Sequence, residues 1–179
     1  MTQFNTNCSV TIGPILRKDW PFLSEVELSA AQLFKDSPYP ELASSAACTG
    51  DAVEQHFATG GLGWSAKTAE GALAGFIIAH RVGASDLHID ELSVGADYQG
   101  QGIGTSLLDH CIKEAKPQSF DALFLTTYSD IAWNGPFYAR HGFEIIPTET
   151  QPYWLRDIVS REIAAGANTQ SRIAMRLDL

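Results

Sequence analysis

The chain has 179 residues, 45% of them hydrophobic and 18% charged, the balance of an ordinary globular protein long enough for one domain with a sizeable core. Twenty-one acidic against twelve basic residues give a net charge of −9, which argues against docking on nucleic acid or an anionic membrane and favours cationic partners such as amines. No apolar run is long enough to span a bilayer, and the opening MTQFNTN lacks a basic region followed by an apolar stretch, so a cytoplasmic protein without signal peptide or membrane span is expected.

Three cysteines, Cys8, Cys48 and Cys111, are widely spaced and form no C-x-x-C pair. Neither a disulfide framework nor a zinc site is expected, and buried free thiols are. A short strand is predicted near Ser9–Ile12. A helix follows over about Asp19–Phe34, with Asp19 as its cap and Pro21 in its first turn. KDSPYPEL breaks the chain, and a second helix runs over Asp51–Ala58 to the stop TGGLG. Two strands, Trp64–Thr68 and Ala72–Arg81, flank a turn at Glu70-Gly71.

The next strand, Leu87–Val94, carries a change of parity. Leu87 and Ile89 are apolar on odd positions, Leu92 and Val94 on even ones. Side chains in a strand alternate with period two, so one extra residue at Asp90-Glu91 is the simplest repair. Such a bulge would splay the strand from a neighbour and open a slot. The alternative is a strand buried on both faces or one that ends early.

YQGQGIG then places Gly100, Gly102 and Gly104 just before a helical stripe of Ile103, Leu107, Leu108, Cys111, Ile112 and Ala115. Lys113 and Lys116 suit the end of that helix and Pro117 stops it. A strand, a glycine-rich turn and a helix start together make an anion site, because the first backbone N–H groups of a helix have no partner inside it. G-x-x-x-x-G-K-[ST] is absent, and G-x-G-x-x-G fails at Thr105 and at Leu107. What fits is Q-x-x-G-x-G, as Gln99, Gly102 and Gly104. Farther on, ALFLTT reads as a buried strand and NGPFYARHGF as a short helix between Pro136 and Gly142. Phe143–Ile146 reads as a strand, Trp154–Ala165 as a helix and Ile173–Leu177 as a final strand. The alternation points to a mixed sheet covered by helices.

From about Leu73 to Phe143, through ALAGFIIAH, HIDELSVGADYQGQGIGTSLL and AWNGPFYARHGF, the chain resembles the GNAT superfamily of N-acetyltransferases. The resemblance implies a single α/β domain over residues 1–179, with a mixed sheet of six or seven strands and a bulged strand before the pyrophosphate loop. It implies acetyl-coenzyme A as cosubstrate, its pyrophosphate held by the turn Gln99, Gly100, Gln101, Gly102, Ile103, Gly104 and Thr105. It also implies pantetheine pairing with the backbone of Leu92 and Val94, and a hydrogen bond from Asn134, which is equally a good helix N-cap.

Chemistry narrows the remaining roles. An alkyl amine with pKa ~10.4 arrives protonated and needs a base. Glu91, at the expected bulge, is the first candidate, provided burial raises its pKa from ~4.3; pairing with a cation is the structural alternative. His88, with intrinsic pKa ~6.5, is the second. Tyr138 matches the family's general acid, and is otherwise a core aromatic between Phe137 and Phe143. A phenol of pKa ~10 protonates a thiolate of pKa ~8.5 only uphill, by roughly 2 kcal/mol, which favours hydrogen bonding to the sulfur. The Leu92 N–H is the expected oxyanion donor. No third ligand joins His88 and Asp90, so no metal is expected. His56 and His80 fall in no recognisable constellation.

The acceptor is expected to be an amine-bearing small molecule, with Glu25, Glu27, Phe34, Tyr39, Trp133 and Trp154 as candidate lining. A protein N-terminus or lysine, or a non-catalytic acyl-coenzyme A-binding module, are the alternatives. A homodimer is a further implication of the resemblance.

Overall fold

The computed structural model describes residues 9–44 and 48–179; Cys8 lies outside them. Seven strands appear among the described residues: β1 (Val10–Pro14), β2 (Leu62–Thr68), β3 (Leu73–Val82), β4 (Asp86–Val94), β5 (Ala122–Tyr128), β6 (Glu144–Ile145) and β7 (Arg172–Asp178). Five α-helices accompany them: α1 (Trp20–Ala31), α2 (Gly50–Ala58), α3 (Ile103–Ala115), α4 (Gly135–Arg140) and α5 (Tyr153–Ala164). The strands form one mixed sheet in the order β1-β2-β3-β4-β5-β7-β6. β1–β2 and β2–β3 pair antiparallel, β4–β5 parallel, and β7 lies antiparallel to both β5 and β6. The parallel pair needs a long crossover, which α3 supplies.

The chain divides into two compact units. One comprises the residues up to His80 with Asp90–Glu114, the other Arg81–Ile89 with Ala115–Leu179. In the first, Leu23, Val26, Val53, Phe76 and Ile78 form a core cluster, and Trp20 stacks on Phe57 with ring centroids 5.2 Å apart. In the second, Ala122, Phe124, Leu155 and Ala174 are the cluster, and Trp154 packs edge-on to Phe124 at 5.0 Å. Trp154 thus packs, partly buried, against the core of this unit.

Several local expectations shift. Asp19 precedes α1 but makes no side-chain cap bond to it. Its carboxylate instead accepts the Leu16 N–H at 2.9 Å and the Lys67 ammonium at 2.6 Å. α1 stops at Ala31 and continues as a 3-10 turn over Gln32–Asp36. β6 is only two residues long: Phe143 turns into the core, its N–H on the Tyr138 carbonyl at 3.1 Å, and Pro147 has no N–H to extend the ladder.

β4 is continuous. Its first half is buried on both faces, with Leu87 0%, His88 4% and Ile89 4% exposed. Its ladder with β5 runs over Asp86↔Ala122, Leu87↔Leu123 and His88↔Phe124. Beyond Asp90, which is exposed, Leu92 and Val94 are half-buried around a buried Ser93. Burial on both faces thus accounts for the pattern as far as Ile89, and the change of character falls at Asp90-Glu91.

Candidate functional site

Between β4 and α3 the chain makes a 3-10 turn at Ala96–Tyr98 and then bends through two left-handed residues, Gly100 (φ +71°) and Gly102 (φ +80°). A Cβ at either would meet nothing within 4 Å, so conformation and not space demands glycine there. Gly104 lies within the first turn of α3. The Gly102 carbonyl accepts the Ser106 N–H at 3.0 Å and so opens the helical ladder. The N–H groups of Ile103, Gly104 and Thr105 consequently precede any intrahelical acceptor, and the helix dipole adds partial positive charge. Ile103, Leu107, Leu108, Cys111 and Ala115 are all buried, which anchors that turn.

The loop is also fixed from outside. The Ala96 N–H donates to Ser29 Oγ of α1 at 2.9 Å. Gln99 Nε2 donates to the Val94 carbonyl at 2.9 Å and the Ala30 carbonyl at 3.5 Å, while Gln101 Nε2 donates to the Asp97 carbonyl at 3.2 Å. Both glutamine side chains therefore brace the loop. A cavity of about 160 Å³ opens beside it, lined by Glu25, Ser29, Leu73, Asp97 and Tyr98 among others.

At the end of β4, the Ser93 hydroxyl donates to Glu91 Oε1 at 2.6 Å, and Glu91 is half-buried. Ser93 is thus one partner of this carboxylate. Glu27 Oε2 accepts the Cys48 N–H at 2.8 Å. Burial, and then the carboxylates of Glu27 and Glu91, push the Cys48 thiol up to about 12. Negative charge thus gathers around Cys48 from both α1 and β4.

The second unit holds Asn134 and Tyr138. Asn134 is the backbone N-cap of α4, its carbonyl accepting the Tyr138 N–H at 3.1 Å, but its side chain makes no cap bond. Asn134 Oδ1 instead accepts the Thr127 hydroxyl of β5 at 2.9 Å. Asn134 Nδ2 is buried without an acceptor among the described residues. Tyr138 is 9% exposed and packs edge-on to Phe137 and Phe143, with centroids 5.1 and 5.6 Å away. His88 packs edge-on to Trp154 at 6.4 Å. Of the expected site residues, Glu91, Leu92, Val94 and Gln99–Thr105 fall in the first unit, and Asn134 and Tyr138 in the second.

The structure also brings together residues that no spacing signals. His80 Nδ1 lies 2.8 Å and His56 Nδ1 3.7 Å from Asp90 Oδ2, and His56 Nε2 lies 3.0 Å from the Leu62 carbonyl. These histidines come from α2 and β3. Thr127 of β5 likewise gains its partner Asn134 from another element, and a lone hydroxyl in a strand gives no sign of this.

A family model described as Acetyltransferase (GNAT) family matches residues 20–143. Streptothricin acetyltransferase A of Bacillus subtilis (strain 168) is 37% identical over 65 residues. That match covers 36% of this chain and 38% of that protein, well under two thirds of the relative. Among solved structures, an acetyltransferase of the GNAT family from Staphylococcus aureus Mu50 superposes with TM-score 0.70 at 20% identity, over 96% of this chain and 99% of that one. PaiA N-acetyltransferase from Thermoplasma acidophilum, solved in complex with coenzyme A, superposes with TM-score 0.70 at 17% identity, over 96% and 99%. At such identities the structural likeness speaks for the fold.

Proposed function

This chain belongs to the GNAT family of acetyltransferases, and on that premise we propose that it moves an acetyl group from acetyl-coenzyme A to a primary amine of a small molecule, by direct attack in a ternary complex. The observation that carries this is the left-handed turn at Gly100 and Gly102, which leaves the N–H groups of Ile103, Gly104 and Thr105 together at the start of α3. A pyrophosphate fits such a donor set, and a chain of net charge −9 can hold it because local dipoles act there, not net charge. The buried Asn134 Nδ2 is a second point of fit, being a donor in want of an acceptor.

Acetyl-coenzyme A supplies the acyl group as an activated thioester. The backbone of Leu92 and Val94 pairs with pantetheine, next to the Val94 carbonyl that Gln99 holds. The bulge expected at Asp90-Glu91 belongs to the same proposal. Glu91 takes the proton of the incoming ammonium through water, its carboxylate held in one orientation by Ser93. The Leu92 N–H steadies the oxyanion, and the Tyr138 hydroxyl hydrogen-bonds the departing sulfur. Glu27 and Glu91, both bearing on Cys48, support a cationic acceptor, and the name of the Bacillus relative, a streptothricin acetyltransferase, supports a small molecule.

The two units together are read as one acetyltransferase domain. A cytoplasmic location is supported by the free thiols of Cys48 and Cys111. Association as a homodimer is supported by Ile145, 58% exposed on the edge strand β6, and is read by sedimentation velocity.

Calorimetric titration of acetyl-coenzyme A tests the reading. Micromolar binding is expected, lost in Gly104→Val with the circular dichroism spectrum unchanged. Glu91→Gln should keep binding while thiol release in the presence of amines slows roughly a hundredfold or more. No binding by folded protein, or normal binding by Gly104→Val, would overturn it.

A further inference from the structure

Asn134 raises a question that its place at the head of α4 does not answer. An asparagine at an N-cap ordinarily turns its oxygen onto the N–H groups of its own helix. Here it does not. Its Oδ1 is taken by the hydroxyl of Thr127, 2.9 Å away on β5, and Thr127 is 3% exposed. The opposite end of the amide, Nδ2, is buried and has no acceptor among the described residues.

A carboxamide has nearly the same shape whichever way it is flipped, so its partners decide which end points where. With the Thr127 proton on Oδ1, Nδ2 is the end of the amide left to donate, and it has no acceptor among the described residues. A buried donor without one is costly, and an oxygen of a bound molecule would complete the arrangement. Strand β5 is a rigid place from which to hold the amide: Thr127 sits in its ladder with β7, opposite Ile173.

We propose that Thr127 is a positioning residue for coenzyme binding, its hydroxyl orienting the Asn134 amide so that Nδ2 donates to an amide or carbonyl oxygen of the bound acyl-coenzyme A. The inference rests on the proposed acetyltransferase function, and on Asn134 as a coenzyme contact in particular.

The test compares Thr127→Val, Thr127→Ser and Asn134→Ala by calorimetric titration of acetyl-coenzyme A and by thermal unfolding. Valine keeps the shape and removes the hydroxyl; serine keeps the hydroxyl and removes the methyl. Positioning predicts that Thr127→Val weakens binding about five- to tenfold, the worth of one hydrogen bond, and that Thr127→Ser binds like the parent. Stability should follow the reverse order, because a buried strand position favours the branched apolar side chain. The pair Thr127→Val with Asn134→Ala should bind no worse than Asn134→Ala alone, since one acts through the other. Thr127→Ala, which also lacks the hydroxyl, keeps the test readable should the valine variant fail to fold. Weak binding by Asn134→Ala with parental binding by Thr127→Val and Thr127→Ala would overturn the positioning role and leave the function standing. Parental binding by Asn134→Ala would overturn both the contact and this inference. Absence of binding by the parent would overturn the function itself.

Discussion

Cys48 shows how one residue reports on its surroundings. Its thiol is pushed up to about 12 from an ordinary 9.0, first by burial and then by Glu27 and Glu91. Three units mean roughly a thousandfold less thiolate, and thiolate is the reactive form. Iodoacetamide at pH 8, followed by peptide mass analysis, should label Cys48 far more slowly in the folded protein than in urea. Equal rates would remove the picture of two carboxylates facing this thiol. That Cys111 is buried follows from its helical spacing. That Cys48 meets Glu27 and Glu91 follows from nothing in the spacing, because the three stand on separate stretches of chain. Asn134 makes the same point: its type and place suggest a cap or a coenzyme contact, and only the neighbouring strand assigns its oxygen to Thr127.

Among the elements, α5 and β7 are joined by a charged tie rather than by apolar packing alone. Arg172 of β7 grips both oxygens of Glu162 of α5, at 2.9 and 2.7 Å, and also donates to Thr126 of β5 at 2.9 Å. Glu162 is 26% exposed, so removing its partner strands a partly desolvated carboxylate. Arg172→Met should cost about 2 kcal/mol in urea unfolding, and the pair Arg172→Met with Glu162→Leu should recover most of it. A single variant as stable as the parent would make the tie decorative. Helices α2, α3 and α4 are legible because caps, glycines and apolar stripes agree. Asp19 and β6 are not: Lys67 and Leu16 take the carboxylate intended for α1, and Phe143 leaves the strand for the core.

For the molecule as a whole, buried thiols set an alkaline limit. The Cys111 thiol is pushed up to about 12 by burial alone. Below pH 9 it is protonated whether the chain is folded or not, and stability is unaffected. Between pH 9 and 12 the unfolded chain sheds this proton and the folded chain keeps it, so stability falls as pH rises. Urea unfolding across that window should give a shallower decline for Cys111→Ala than for the parent; parallel declines would contradict it. No helix among the described residues is long and apolar enough to cross a membrane. The succession of strands and helices and the glycine turn with its family are legible along the chain alone, because these rest on local spacing and on backbone conformations that few residues adopt. Packing settles the partners of polar side chains that stand on different elements. Thr127 and Asn134, and His80 and Asp90, meet only when separate elements pack, and a hydrogen bond depends on distances in space that spacing along the chain does not encode.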